Sequence, residues 1–537
     1  MQANLMNNSQ QPRANKWIIA VTVSLATFIE VMDTSVVNVS LPHIQGSLNA
    51  GVDEVTWVLT SYLVSNAIII PITGWLSSLF GRKHYFMFSL ALFTTSSLLC
   101  GIAPSLRILV VARIIQGLGG GGLVPIAQAI LLESFPLQER GVAMAIFGMV
   151  VVFAPILGPV VGGWITDNWT WRWVFYINLP IGLLAIFLVT IFIQDPPYLK
   201  KARSEIDYWG LALLTIGIGC LQIVLDKGQR EDWFESNFIL TFSVIAALSL
   251  VLFVVLELRT KHPVVNLKVF RDRTFTAGNM IMFMGFFCMF GSIVLLPLYL
   301  QKLMGYTAYL AGLVLGPGGI ASLIIMPIIG NLMKKGARPQ YLLACGLSIA
   351  AYSLYLMSRF NLQADFLTVA IPRVVQGLGM GLFFVPLAAA SYVNIPKEEM
   401  GNATGIFNLL RNLGGSFGTA VAATLLSQRS QLHQNFLVEH ITPFNPALQA
   451  RLHWAGNIIP GLDSLTGTKT ALVFIYKEVI RQATMLAFND VFWLFAWFTA
   501  AVVPLTFIMS GPHRNRDEAL NKTRAMKPSP AGPGIDK

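Results

Sequence analysis

Among the ionisable residues that lie within apolar stretches of this sequence, where charge is uncommon, three are the first candidates for chemistry. Glu30 and Asp33 are three residues apart in the first stretch, so a helix would place both carboxyl groups on one face. Arg113 lies in the fourth stretch. If the two stretches cross an apolar layer of about 30 Å in opposite directions, a rise of about 1.5 Å per residue gives Asp33 and Arg113 similar depths. Because charges in hydrocarbon pair or face water, these two residues are predicted to face each other.

Two interpretations of this pair remain open. Desolvation and a nearby arginine act in opposite directions on the proton affinity of a carboxyl group. A modest rearrangement could therefore load or release a proton at Asp33, with Glu30 as a second candidate, while a cationic compound competes for the carboxylate. In the alternative, the pair only ties two helices together. Arg113 is predicted to support the site rather than to bind substrate.

The composition is that of an integral membrane protein. The 537 residues are 55% hydrophobic and only 12% charged, with a mean hydropathy of +0.64, whereas soluble domains carry about 25% charged residues. This excludes a soluble multidomain protein, and four cysteines exclude a disulfide-rich one. The net charge of +11 is typical of basic cytoplasmic loops beside membrane lipid rather than of nucleic-acid binding.

Fourteen apolar stretches are long enough to cross a bilayer as helices and too long for barrel strands. They lie near residues 17–40, 56–77, 85–103, 106–131, 141–164, 173–193, 209–225, 238–257, 276–300, 309–332, 340–358, 366–391, 402–427 and 488–510. Basic residues gather in the alternate short loops that a cytoplasmic N-terminus would put inside, which predicts that both termini are cytoplasmic. Residues 428–487 are then predicted to form a long outside loop.

An internal repeat divides the chain. The segment ARIIQGLGGGGLVP from Ala112 recurs as PRVVQGLGMGLFFVP from Pro372, with Arg113 matching Arg373 at an offset of 260 residues. The offset spans eight helices, so the halves are parallel repeats, as in transporters built from two six-helix bundles. The predicted fold is all-α and integral to the membrane. Its predicted parts are a first bundle (1–200), two additional helices (201–260), a second bundle (261–510) and a cytoplasmic tail (511–537).

Several segments resemble the major facilitator superfamily, in particular its fourteen-helix drug:proton antiporter branch of the EmrB/QacA type. They are MDTSVVNVSLP (Met32–Pro42), GWLSSLFGRK (Gly74–Lys83), RIIQGLG (Arg113–Gly119), LGPVVGG (Leu157–Gly163), WRWVFYINLPIG (Trp171–Gly182), LDKGQREDWF (Leu225–Phe234) and NLLRNLGGSFGTA (Asn408–Ala420). The resemblance implies multidrug efflux driven by the proton motive force across the inner membrane. It also suggests a periplasmic adaptor protein and an outer-membrane channel as partners. Where the family usually has an acidic and a basic residue, this chain has Ser78 and Leu79.

The motifs add residues with a predicted role in gating or helix contact. Glycines permit close helix approach, a Gly-Pro pair is expected to break the regularity of the fifth helix, and a basic turn is expected either to latch a gate or only to set topology. The glycines of the fifth helix either seal the halves against proton leak or only pack. This set is Gly74, Gly81, Arg82, Lys83, Gln116, Gly117, Gly158, Pro159, Gly162 and Gly163.

Two further arginines are predicted at mid-helix depth in the second half. Arg373 belongs to the repeat, and the resemblance marks Arg411 as part of a motif. Both are candidates for charge partners or for support of the site. An equally open reading gives Arg411 a structural role beside the glycines that follow it.

The predicted function is proton-coupled export of amphipathic drugs or toxic compounds by alternating access, with Asp33, Glu30 and Asn38 as candidates for substrate binding. A dedicated exporter of one metabolite, such as a siderophore, fatty acid or sugar, is the alternative. A membrane enzyme or a transport-dead sensor belongs to another class. An enzyme would need convergent catalytic groups, and the histidines are predicted in loops or the tail. No nucleotide-binding glycine loop, cofactor or metal site is predicted.

Overall fold

The computed structural model describes residues 15–196, 207–261, 263–442, 444–450, 452 and 464–509. These residues form fourteen long helices, with α4 in two pieces, and no strand. The helices are α1 (Lys16–Ser47), α2 (Trp57–Phe80), α3 (Arg82–Ile102), α4 (Leu106–Gly120 and Leu123–Ser134), α5 (Arg140–Asn168), α6 (Asn178–Phe192), α7 (Tyr208–Lys227), α8 (Asn237–Arg259), α9 (Arg273–Leu298), α10 (Ala308–Lys334), α11 (Pro339–Met357), α12 (Phe366–Ala390), α13 (Met400–Glu439) and α14 (Ser464–Val502). Each predicted span falls on one of them.

Hydropathy accounts for nearly all of these helices. Within the described residues, thirteen helical segments are long and apolar enough to cross a membrane. The remaining long helix is α13, whose C-terminal part is polar. Side chains cap several helix starts: Asn15, Asp207, Asp272, Thr307 and Asp365 each accept a hydrogen bond from a backbone N–H of the first turn.

Helix packing repeats with an offset of eight helices. In the first half α1 packs on α5 and α6, and α4 packs on α2 and α3. In the second half α9 packs on α13 and α14, and α12 packs on α10 and α11. The halves meet along two equivalent seams, α5 with α10 and α13 with α2. This arrangement confirms the prediction of two repeated six-helix bundles.

The two additional helices lie at only one of these seams. Helix α8 packs on α7, and α7 packs on α2 and α13. The ammonium group of Lys227 donates to Thr56 Oγ1 at 2.6 Å, and the indole N–H of Trp233 donates to Thr424 Oγ1 at 3.0 Å. The end of α7 is therefore hydrogen-bonded to both halves. The boundaries assigned to the bundles and the linker stay predictions.

The long loop predicted for residues 428–487 is wrong in extent. Helix α13 continues to Glu439 and α14 begins at Ser464, and His433 inside α13 lies 2.8 Å from Asp490 on α14. The prediction failed because hydropathy marks only the part of a helix that needs an apolar surface, whereas backbone hydrogen bonding continues through polar sequence. His433 also corrects the expectation that the histidines lie in loops. The tail 511–537 lies outside the described residues.

Candidate functional site

A buried polar cluster joins three helices of the first half at Asp33. Asp33 Oδ2 accepts a hydrogen bond from Arg113 Nη1 at 2.5 Å. Its other oxygen, Oδ1, accepts from Asn178 Nδ2 at 2.8 Å and from Gln116 Nε2 at 3.1 Å. All four residues are at most 1% exposed. The carboxylate thus has a cation on one oxygen and two amide donors on the other, which confirms the contact expected from helix depth.

Arg113 is held from several sides besides Asp33. Its Nε donates to the Val58 carbonyl at 3.1 Å, and Nη1 donates to Gln116 Oε1 at 2.7 Å. Its guanidinium carbon lies 4.1 Å from the centre of the Tyr62 ring, within range of a cation–π interaction. The Nη2 atom is buried and has no hydrogen-bond partner in the described part of the chain. Arg113 therefore supports Asp33 and keeps one unused donor.

Ser97 on α3 orients the two amides. Its hydroxyl donates to the Phe175 carbonyl at 2.9 Å, and it accepts from Asn178 Nδ2 at 3.0 Å and Gln116 Nε2 at 3.3 Å. Sequence reasoning missed Ser97 and Asn178. Asn178 stands inside a quoted motif and could have been found there, whereas nothing in the sequence distinguishes Ser97 from the other serines of apolar helices.

Glu30 forms a second buried site at the boundary between the halves. It is 8% exposed, and its Oε1 accepts from Asn66 Nδ2 at 3.0 Å and from the Tyr62 hydroxyl at 3.4 Å. Arg411, on α13 of the other half, is close enough for the two charges to interact. Its Nη1 is buried without a hydrogen-bond partner among the described residues. Glu30 is thus the carboxyl group that faces the opposite half.

The second half repeats the cluster without its acid. Arg373 donates through Nη1 to Gln376 Oε1, and Gln376 Nε2 donates to Ser292 Oγ at 2.8 Å. Ser292 on α9 occupies the position corresponding, within a residue, to Asp33 on α1 at the repeat offset. Arg373 has no carboxylate partner in the described part of the chain. The buried acid–arginine pair is therefore a feature of one half only.

The glycines of α4 determine how closely α2 can approach. A Cβ on Gly117 would overlap Ser65 Oγ and lie 2.6 Å from the Tyr62 carbonyl oxygen. A Cβ on Gly120 would lie 2.8 Å from the Tyr62 hydroxyl. Glycines at these positions let α2 approach α4, so that Tyr62 contacts both Arg113, the partner of Asp33, and Glu30. This motif therefore helps to position Tyr62 at the site.

Helix α5 remains continuous through its Gly-Pro pair, which corrects the predicted break. Pro159 has no N–H, so the carbonyl of Pro155 loses its partner within the helix. The Ser35 hydroxyl of α1 donates to that carbonyl at 3.0 Å. A Cβ on Gly158 would overlap the Ser35 side chain, whereas one on Gly163 would meet no atom within 4 Å. The regularity is kept because a neighbouring helix supplies the missing donor.

These glycines give a matched pair of substitutions. We expect Gly158→Ala to lower the free energy of unfolding by about 1–3 kcal/mol, because α1 must move away from α5. Gly163→Ala should be neutral or slightly stabilising, because alanine favours helix and the space is open. Thermal unfolding of both purified variants in detergent measures the difference. Equal melting temperatures would contradict close packing at Gly158.

The basic turn between α2 and α3 lies where the halves meet. Gly81 has a φ of +88°, which favours glycine, and Arg82 pairs with Glu133. Arg82 also donates to the carbonyl of Lys397 in the other half at 3.4 Å, and a Cβ on Gly74 would lie 2.5 Å from the backbone nitrogen of Asn402.

Lys83 is bound by groups close to this turn, and other carboxylates lie near the turn that follows Ser78, which stands where the family usually has an acidic residue. The backbone N–H of Lys83 donates to Asp195 Oδ1 at 2.8 Å, and its ammonium group donates to the Thr190 carbonyl at 2.6 Å. Ser78 donates to a carbonyl of its own helix. Glu133 and Asp195 thus supply the carboxylates around this turn.

Further polar contacts join the halves at the same end. Glu139 pairs with Lys16 of its own half and, at 3.1 Å, with Lys334 of the other. Within the second half, Asn266 Nδ2 donates to Glu399 Oε1 at 3.0 Å. With the turn at Gly81, the contact between Glu139 and Lys334 closes the basic end of the seams.

Two motif residues take no part in the buried clusters. Gly162 on α5 only allows close packing against α1, since a Cβ there would lie 3.0 Å from the Val36 carbonyl oxygen. Asn38 is exposed. Its predicted role in substrate binding therefore stays a prediction.

Comparisons with known proteins agree with this architecture. The family model described as Major Facilitator Superfamily matches residues 23–419. The chain is 39% identical to the multidrug export protein EmrB of Haemophilus influenzae over 482 residues, 89% of this chain and 92% of that protein. It is 36% identical to the fatty acid resistance protein FarB of Neisseria gonorrhoeae over 495 residues, 92% of this chain and 96% of that protein.

Solved structures show the same fold at low identity. The human organic anion transporter MFSD10 aligns with a TM-score of 0.59 and 14% identity, over 91% of this chain and 100% of that one. The proton:xylose symporter XylE aligns with a TM-score of 0.59 and 16% identity, over 92% and 96%.

Proposed function

The chain belongs to the major facilitator superfamily, and from this premise we propose that it exports amphipathic drugs or similar toxic compounds in exchange for protons. It is a multi-pass protein of the inner membrane, and its family consists of transporters rather than enzymes. The observation that carries the proposal is the buried Asp33–Arg113 pair, which the first half has and which has no counterpart among the described residues of the second half.

The chemistry proposed for Asp33 follows from its surroundings. A carboxylate with a buried cation and two amide donors is stable without a proton. If Arg113 turns away, the desolvated carboxyl group takes up a proton. Arg113 Nη2 has no hydrogen-bond partner among the described residues, and the Tyr62 ring lies against the guanidinium. We therefore propose that the guanidinium can take a second position along this ring. Proton uptake and helix rearrangement are thereby coupled.

The contacts that close the basic end of the seams support alternating access, with this end on the cytoplasmic side. The contacts of Arg82, Glu139 and Asn402 join the two halves there. Basic loops favour the cytoplasmic face, so both termini are proposed to lie inside, and the buried Asp33 cluster is not open to the cytoplasm in this conformation. Export requires these contacts to break and the seams to close at the other end.

Fatty acid export is a second candidate, favoured by Arg411. The Nη1 atom of Arg411 is buried without a partner at the boundary between the halves. An arginine in that position suits a carboxylate. The relative from Neisseria gonorrhoeae is named for fatty acid resistance. A medium-chain fatty acid should then bind more tightly than its methyl ester, and Arg411→Gln should remove the preference.

A periplasmic adaptor protein and an outer-membrane channel are proposed as partners. Support comes from the ends of α13 and α14, which continue through sequence too polar for a span and carry exposed apolar side chains such as Phe436 and Phe474. Co-purification of an adaptor with full-length protein, and its loss in Phe436→Ser/Phe474→Ser, tests this surface.

Proton movement in inverted vesicles tests the function. With an acidic lumen, a substrate added outside should enter while protons leave, so the pH gradient falls. The compounds should be a permanently cationic dye and a sulfonate amphiphile, because neither carries protons across lipid by itself. We expect collapse with the wild type and none with Asp33→Asn. If no compound moves protons through the wild type, drug:proton antiport is wrong.

A further inference from the structure

Tyr62 touches both buried ionic sites of the first half. Its ring lies against the guanidinium group of Arg113, with 4.1 Å from the guanidinium carbon to the ring centre. Its hydroxyl group, at the opposite end of the ring, lies 3.4 Å from Glu30 Oε1. Asp33 and Glu30 make no direct hydrogen bond to each other within the described residues, so Tyr62 is a physical connection between them.

We propose that Tyr62 is a positioning residue that links proton binding at Asp33 to the electrostatic interaction between Glu30 and Arg411 across the two halves. The inference rests on the proposed proton coupling at Asp33 and extends it to a residue that neither the motifs nor the relatives' names assign. The link runs from Asp33 to Arg113, from Arg113 to the ring, and from the hydroxyl to Glu30.

The first step is a change in the position of Arg113. When Asp33 takes a proton, the 2.5 Å contact between Asp33 Oδ2 and Arg113 Nη1 is no longer an ion pair, so the carboxyl group attracts the guanidinium less strongly. The guanidinium keeps the Val58 carbonyl and Gln116 as partners. Its free Nη2 lets it turn, and the ring that lies against it must follow.

The second step occurs at Glu30. The separation of 3.4 Å from the hydroxyl is long for an O–H···O hydrogen bond, whereas the Asn66 contact at 3.0 Å is ordinary. A small ring movement therefore makes or breaks a hydrogen bond to this carboxyl group. Since Glu30 faces Arg411 on the other half, the change alters the electrostatic attraction between the halves.

The surroundings of Tyr62 restrict its movement. Gly117 on α4 lies against its backbone carbonyl, Gly120 lies against its hydroxyl, and the ring is bounded by Arg113 and the hydroxyl by Glu30. The ionisable groups that act on this site are few. They are Glu30 and Asp33 on α1, Cys100 on α3, Arg113 on α4, Tyr392 after α12 and Arg411 on α13.

Two substitutions at Tyr62 separate its contacts. Tyr62→Phe removes the hydroxyl and keeps the ring on Arg113, and Tyr62→Leu removes both. Tyr85→Phe is the matched control, because Tyr85 is a buried tyrosine on α3 that is 5% exposed and contacts neither carboxyl group. Substrate exchange between equal concentrations across the vesicle membrane verifies that each variant is folded and binds substrate.

The readout is protons moved per substrate transported, measured in inverted vesicles over a range of pH. We expect Tyr62→Phe to keep exchange but to reduce the ratio about tenfold, the effect of one hydrogen bond to a charged group, and to flatten its pH profile. Tyr85→Phe should match the wild type.

If Asp33→Asn is uncoupled while Tyr62→Phe behaves as the wild type, the link is wrong and the proposed function stands. If only Tyr62→Leu is uncoupled, the hydroxyl carries no link, which also overturns the proposal. If Asp33→Asn remains coupled, proton antiport at Asp33 itself fails.

Discussion

Asp33→Asn is expected to abolish transport against a gradient while leaving passive exchange of substrate intact. Asparagine keeps the size of the side chain and the hydrogen bond to Arg113, but it cannot bind or release a proton at neutral pH. The carboxyl group accepts from one cation and two amides, so the substitution removes its ionisation and also replaces one acceptor oxygen by an NH2 donor, which weakens the amide contacts. A carrier that has lost proton exchange still isomerises with substrate bound.

The measurement compares two assays on the same vesicles. Accumulation driven by a pH gradient should fall to background in Asp33→Asn, and exchange of labelled for unlabelled substrate should persist. Asp490→Asn is the control, since Asp490 is partly exposed and contacts His433 and Arg429 away from this cluster. Accumulation by Asp33→Asn at the wild-type rate would mean that the pair only ties the helices together.

Arg113→Gln is expected to cause the largest loss of stability. Removing one partner of a buried ion pair leaves an uncompensated charge and lowers the free energy of unfolding by about 3–5 kcal/mol. The Asp33 carboxylate would keep only its amide donors, in a site where both partners have side chains that are 0% exposed. The loss should be smaller at acidic pH, because a proton can neutralise the orphaned carboxyl group.

The repeat offers a matched control for this prediction. Arg373→Gln removes the corresponding arginine of the second half, which has no carboxylate partner in the described residues, so the loss of stability should be smaller. The double variant Asp33→Asn/Arg113→Gln should recover part of the loss, since it leaves no orphaned charge. Thermal unfolding of these three variants and of Asp33→Asn measures the changes in the free energy of unfolding. Equal melting temperatures for Arg113→Gln and Arg373→Gln would contradict the role of the pair.

Most of the fold follows from patterns that a sequence carries directly. Hydropathy locates the fourteen helices because a bilayer demands about 20 apolar residues, and the repeat of Arg113 at Arg373 pairs the halves. The similar depths of Asp33 and Arg113 predict that the two residues can meet, whereas depth does not give the rotation of α1 and α4 that brings them into contact. The lengths of α13 and α14 do not follow from hydropathy, because their outer parts need no apolar surface.

Other parts of the site depend on relations between helices that no spacing reveals. Ser97 and Asn178 come from α3 and α6, and their contact depends on how those helices rotate against α1 and α4. Tyr62 reaches Arg113 and Glu30 only because glycines on α4 admit α2 closely. Ser35 compensates Pro159 from another helix, which is why the predicted break in α5 is absent.

Proton release on substrate binding is the most direct test of the account, which holds that substrate and proton alternate at Asp33. Purified protein in weakly buffered detergent solution is mixed with a permanently cationic substrate while pH and bound substrate are recorded. At a pH low enough for the substrate-free protein to hold a proton at Asp33, the wild type should release up to one proton per substrate bound, the number that one carboxyl group can exchange. Asp33→Asn should bind and release none. Release of as many protons by Asp33→Asn as by the wild type would contradict the account.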